Sequence, residues 1–157
     1  MKNIFRKDKS SNEIYAKLLG FGGLIPFIIS FIILNFNINK SNVLEIIIIY
    51  GYTIITFLGG IYWGVGLNIK IAAKRYFFIA TLPTILVFIS LLFPLSQIFK
   101  LIYLIIIINF FLFLEFYFLK IMKLSRWFLD LRIKLNISLS VLLVMIIFRA
   151  YQSNLLS

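Results

Sequence analysis

Apolar runs long enough to cross a bilayer follow one another along this chain with little between them. About 20 residues of helix span the roughly 30 Å of hydrocarbon, and five runs reach or approach that length: about 15–36, 43–67, 76–93, 98–119 and 135–151. Backbone amides in lipid must be paired within their own segment, and hydrophobicity that is continuous rather than alternating excludes a barrel. The expected fold is therefore all-α: a polytopic bundle of five transmembrane helices in one membrane domain over 15–157, preceded by a basic tail at 1–14. The connectors leave no room for a soluble domain. Composition agrees, with 62% hydrophobic residues, 13% charged residues and a mean hydropathy of +1.07, outside the soluble globular range.

The net charge of +11 would suggest nucleic acid in a soluble protein, but here the cations sit in the connectors and report topology. With the N-terminus inside, 13 of the 16 basic residues fall on that side and only Lys40, Lys100 and Arg149 on the other. This positive-inside asymmetry predicts N-terminus in and C-terminus out. The first apolar run is too long for a cleaved leader and lacks an A-x-A site, so it is expected to be retained. Pro26 and Pro83 lie inside spans, where a missing amide allows a packing kink if neighbours satisfy the backbone. Thr81 and Thr84 flank Pro83.

Chemistry is scarce. Cysteine and histidine are both absent, which removes thiolate nucleophiles, imidazole acid and base, and the commonest metal ligands. No catalytic residue, metal site or cofactor is expected. Of the five acids, Asp8 and Glu13 belong to the tail and Glu45 to a helix end. Asp130 has Arg126 and Lys134 four residues away on either side, the spacing of a surface ion-pair ladder. Glu115 has no cation at i+3 or i+4 and lies about one turn inside span four. Its partner must come from another element, and Tyr62, Trp63, Arg75, Arg126 and Arg132 lie at similar depth. Tyr62, Trp63, Glu115 and Arg132 form the candidate polar cluster, since an acid within the membrane is a functional hypothesis by default. The rival reading is an interfacial acid that snorkels or stays protonated. Asn109 lies about 120 degrees around the helix from Glu115 and shares no simple stripe with it.

Span two carries five glycines in YGYTIITFLGGIYWGVG, residues 50–66. Thr56, Gly60 and Gly64 recur every four residues with Thr53 alongside, and Gly59 and Gly66 sit on the adjoining strip. Small residues at this spacing let backbones approach closely where lipid supplies no hydrophobic drive between helices. Span two is thus expected at the centre of the bundle. After span four, Leu124, Trp127, Phe128, Leu131 and Leu135 recur at helical spacing while Arg126, Asp130 and Lys134 line another face. This segment is expected to form a short amphipathic helix in the membrane surface.

LGFGGLIPF at 19–27, YGYTIITFLGGIYWG at 50–64 and RWFLDLRIKLNISL at 126–139, taken together, resemble the uncharacterised family of small multi-spanning proteins that includes mitochondrial transmembrane protein 69. The resemblance covers most of the chain in order. It implies a bacterial inner membrane or a mitochondrial membrane and transfers no activity. It also implies arginine where this chain has Tyr62, tyrosine where it has Phe128 and threonine where it has Asn136. A phenol at position 62 would then meet the Glu115 carboxyl in place of an ion pair, or the contact would be lost.

These features lead to two functional expectations. The first is a non-enzymatic accessory protein of the bacterial inner membrane, interacting with membrane lipids or a quinone-like molecule and with a membrane-protein partner or a second copy, and not with nucleic acid. The second is a small transporter or channel using Glu115, Asn109, Thr81 and Thr84, which the scarcity of polar groups and the lack of internal repeats disfavour.

Overall fold

The computed structural model describes residues 2–36, 39–68, 73–122 and 126–155, with side chains over 11–36, 39–68, 74–117 and 126–152. Every regular element among these residues is a helix. In chain order they are α1 (Lys2–Gly22), α2 (Ile25–Asn35), α3 (Lys40–Asn68), α4 (Ala73–Leu92), α5 (Gln97–Met122) and α6 (Arg126–Leu155). Five stretches are long and apolar enough to cross a membrane: Ser11–Asn35, Lys40–Asn68, Lys74–Leu92, Gln97–Tyr117 and Arg126–Gln152. Helices α2, α3, α5 and α6 close a ring in which α3 touches α2 and α5, and α6 touches the same two. Helix α4 packs chiefly on α3 and also takes a hydrogen bond at 3.0 Å from the Tyr103 hydroxyl of α5 on its Leu86 carbonyl, and α1 packs on α6. The core is almost wholly apolar, built on Phe27, Ile47, Ile55, Leu101, Leu104, Phe111, Leu143 and Ile146, whereas Ile46, Phe57, Phe88, Ile106, Phe113 and Phe148 point outward. An apolar exterior of this kind suits a bilayer, where lipid tails take the place of water.

The first span is two helices rather than one kinked at Pro26. The chain breaks at Gly23 and Leu24, immediately before the proline, which then occupies the first turn of α2. That position needs no amide, so proline fits there without losing a hydrogen bond. The Phe27 amide turns to the Leu24 carbonyl at 3.1 Å, and the Gly23 carbonyl takes a hydrogen bond from the Tyr50 hydroxyl at 3.1 Å instead. Tyr50 also stacks at a tilt on Phe27, with ring centroids 5.5 Å apart. One side chain of α3 thus satisfies the break and packs beside it. Pro83, by contrast, is carried within an unbroken α4, where Thr81 donates to the Phe78 carbonyl at 2.8 Å.

The expected surface helix is not a separate element. Residues 126–135 are the first turns of α6 and run straight into the span, because no glycine or proline interrupts the chain there. Leu124, expected on its apolar face, lies outside the described residues. Leu131 is buried, and Leu131 and Leu135 lie against Gly20 of α1. Trp127 and Phe128 meet edge to face, 5.9 Å apart. The ladder proposed around Asp130 does not form: Arg126, Asp130 and Lys134 are all exposed, and neither cation is within ion-pair distance of the acid. Long side chains in water gain little from such pairs. The helical α1 begins within the stretch expected as a tail and carries a Glu13–Lys17 ion pair at 2.6 Å.

The glycines of α3 divide by face. A Cβ on Gly59 would sit 2.4 Å from the Ala80 carbonyl oxygen of α4, a distance no side chain tolerates. Gly51 is closely packed by the side-chain end of Leu104 of α5, and Gly66 less tightly by Tyr76 and Phe77. The close-packed line is therefore Gly51, Ile55, Gly59, Tyr62 and Gly66, all buried. Thr53, Thr56, Gly60 and Gly64, expected in the same packing surface, lie outside it: nothing comes within 4 Å of a Cβ at Gly60 or Gly64. Thr53 and Thr56 turn their hydroxyls onto the Tyr50 and Thr53 carbonyls of their own helix, at 2.7 and 2.9 Å. Gly59→Ala is expected to lower the thermal midpoint in detergent, with a loss of about 1–3 kcal/mol for overpacking. Gly60→Ala and Gly64→Ala should leave it unchanged or slightly raised, since alanine is the better helix former.

Candidate functional site

Glu115 is the one acid buried among the described residues, 2% exposed in the middle of the helical packing. An isolated carboxylate there would be strongly disfavoured unless paired. Helix α6 supplies the pair. Arg132 donates through Nε to both carboxylate oxygens at 3.2 Å and through Nη2 to Oε1 at 2.9 Å. Helix α3 supplies a third donor, the Tyr62 hydroxyl, 2.8 Å from the same Oε1. Tyr62 is itself 2% exposed, its ring lying 5.9 Å from that of Phe111. Phe111 stands one turn from Glu115 on α5 and is fully buried. Three helices therefore converge on one carboxylate.

The planar guanidinium is suited to this role because its fork reaches both oxygens of one carboxylate, which an ammonium cannot do in the same fixed geometry. Arg132, its side chain 12% exposed, brings its charge in from the α6 side. Chemically the arrangement is closed. Oε1 accepts three hydrogen bonds and Oε2 accepts one, and the acid and base charges cancel.

One turn further along α6 the polar contacts continue. Asn136 is buried and donates to Asn109 Oδ1 of α5 at 2.9 Å. Asn109 donates in turn to the Ser140 hydroxyl at 3.1 Å and to the Ile105 carbonyl of its own helix at 2.8 Å. Arg132, Asn136 and Ser140 are spaced by four and stack on one face of α6. Glu115 and Asn109 reach that line from different sides of α5, which is why no stripe was visible on α5 alone. The spacing on α6 was the available signal for Asn136 and Ser140.

The remaining candidates lie apart. Trp63 is 48% exposed and stacks on Phe77 of α4 at 4.8 Å, away from Glu115. Arg75 and Arg126 are exposed. Thr81 and Thr84 line an open groove of about 360 Å³ between α3 and α4 with Thr56, Gly59, Gly60, Trp63 and Ala80. Glu115 and Asn109 are not among its walls, so the hydroxyls and the acid of a hypothetical transport path do not share this groove.

A family model, a protein family of unknown function designated DUF3429, matches residues 13–148. The chain belongs to that family. No curated protein and no solved structure matched it. The matched region of this DUF3429 protein takes in Tyr62, Glu115, Arg132, Asn136 and the whole α3 glycine line. The arginine that the sequence resemblance implies at position 62 is not needed here for charge balance, because Arg132 neutralises Glu115 from α6 and leaves the phenol as an added donor.

Breaking this centre should be costly and removing all its charge less so. Glu115→Ala leaves the Arg132 guanidinium without its carboxylate, and the expected loss is about 3–5 kcal/mol. Tyr62→Phe should cost about 1 kcal/mol, the net value of one hydrogen bond. The double change Glu115→Leu with Arg132→Met should recover much of the single-variant loss. Unfolding in detergent, followed by far-UV circular dichroism, provides the comparison.

Proposed function

We propose that this protein is a non-enzymatic accessory component of a bacterial inner membrane, with its N-terminus on the cytoplasmic side, that stabilises or assembles a membrane-protein partner. The observation that carries this reading is the use of the interior polar groups. Glu115, Tyr62, Arg132, Asn109, Asn136 and Ser140 all bond across helix interfaces, and Tyr52 with Ser90 does the same between α3 and α4. Polar groups that hold helices together are not lined up for a solute, and a carboxylate bound to a guanidinium and a phenol is not poised as an acid or base.

The outer face of α3 supports the partner half of the proposal. Thr56, Gly60 and Gly64 repeat at the spacing of a helix-packing surface, yet α4 and α5 use the neighbouring line. The 13 to 3 division of basic residues supports the orientation.

Purification from native membranes in mild detergent, followed by identification of co-purifying proteins, tests the role. The expected result is a reproducible membrane-protein partner whose recovery falls when Gly60→Leu and Gly64→Leu are introduced, while the fold is retained. Absence of a partner together with solute flux in reconstituted liposomes, abolished by Glu115→Gln, would reverse the assignment in favour of a small transporter.

A further inference from the structure

One acceptor in the interior has no donor. Asn136 is 3% exposed, and its side-chain Oδ1 is buried without a hydrogen-bond partner. Which end of this amide faces which neighbour is fixed by a chain of contacts. The Ile105 carbonyl can only accept, so the Asn109 atom that meets it at 2.8 Å is Nδ2. That leaves Asn109 Oδ1 for Asn136, which answers with its own Nδ2 at 2.9 Å. The orphan is therefore an oxygen; turning the amide over would set two oxygens against each other and strand the nitrogen instead. Described side chains continue toward the inner end for eight residues beyond Asn109 on α5 and for the ten that precede Asn136 on α6, so the groups around this oxygen belong to the described helices.

The Glu115 centre, one turn away, has a matching surplus. Its charges cancel, but its hydrogen-bonding capacity is not spent. Arg132 stands four residues before Asn136 on the same face of α6. Of the five N–H groups of a guanidinium, only those on Nε and Nη2 are engaged with Glu115. Glu115 Oε2 accepts one hydrogen bond where a carboxylate oxygen has room for two. These groups define their occupant narrowly. A cation is disfavoured by the guanidinium, and an anion by the two acceptors. The occupant has to donate twice, accept at least once and carry no charge. Buried polar sites of this description hold water, typically through about three hydrogen bonds.

We propose that a single water molecule is bound between Asn136 and the Glu115–Arg132 pair, donating to Asn136 Oδ1 and to Glu115 Oε2 and accepting from an Arg132 N–H. It joins the two sets of polar contacts between α5 and α6 into one network that runs from Tyr62 through Glu115 and the water to Asn136, Asn109 and Ser140. Arg132, with 12% of its side chain exposed, offers the route by which the water exchanges. The site lies apart from the α3 face assigned to a partner and does not depend on that assignment.

Water-edited solid-state NMR of the isotopically labelled full chain in phospholipid bilayers reads the site, because magnetisation that starts on water appears first on the carbons nearest to it. The Asn136 Cγ and Glu115 Cδ signals should build up well ahead of those from Leu139 and Leu143, buried on the same helix. Ser90, equally buried with its hydroxyl bonded to Tyr52, controls for transfer through exchangeable protons and should stay as slow as the leucines. Asn136→Leu removes the acceptor at nearly constant volume, and the early Glu115 signal should then fall severalfold, with unchanged Tyr62 and Leu143 shifts reporting a retained fold. The unsubstituted chain carries the test if that variant does not fold. Asn136 build-up no faster than that of Ser90 or Leu139 would overturn the proposal, and so would an early Glu115 signal that persists undiminished in folded Asn136→Leu.

Discussion

An acid and a base that meet inside a bundle must meet well or not at all, and the pairing of Glu115 with Arg132 sets the terms for the helices around it. Neither residue could be paired from within its own helix, so α5 and α6 have to lie side by side at a fixed register. Tyr62 extends the same demand to α3. Bonds of this directionality specify an arrangement that apolar packing alone would leave degenerate, because one leucine-rich face in lipid is much like another. Asn109, Asn136 and Ser140 repeat the constraint one turn deeper, and the ring of α2, α3, α5 and α6 closes around it.

Close approach supplies the second constraint. Helices α3 and α4 share no ion pair among the described residues; they come together because Gly59 has no side chain to oppose the Ala80 carbonyl. Pro83 adds to this, its buried ring packed near the same glycine. Backbone proximity, with the Tyr52–Ser90 hydrogen bond, holds α4 to α3, and the Glu115 pairing holds α3, α5 and α6 together.

Much of this was legible in the sequence, and the parts that were not have physical reasons. Spans follow from apolar length because lipid permits few alternatives. Tyr62 and Arg132 could be named as partners for Glu115 because depth in a bilayer follows from distance along a helix. Azimuth does not follow so easily. Gly59, Gly60 and Gly64 look interchangeable in a string of letters, yet only Gly59 of the three faces a neighbour, a distinction made by where α4 lies. The segment at 126–135 has an amphipathic pattern that fits either a surface helix or the exposed first turns of a span. Its lack of a breaker was the better guide, and α1 provides the apolar cover that lipid was expected to give. The break before Pro26 was displaced by only a few residues from the expected kink, since proline is better tolerated at the start of a helix than within one.

The separation of Glu115 and Arg132 along the chain has a consequence for biogenesis. They are 17 residues apart, and synthesis proceeds from the N-terminus, so the acid leads its base into the membrane. Tyr62 has already been made by then and offers the acid a hydroxyl donor. Arg132 follows at the head of α6 and adds the guanidinium contacts to the same carboxylate. Helix α6 therefore carries the one cation that the earlier-made α3 and α5 contacts leave to be supplied.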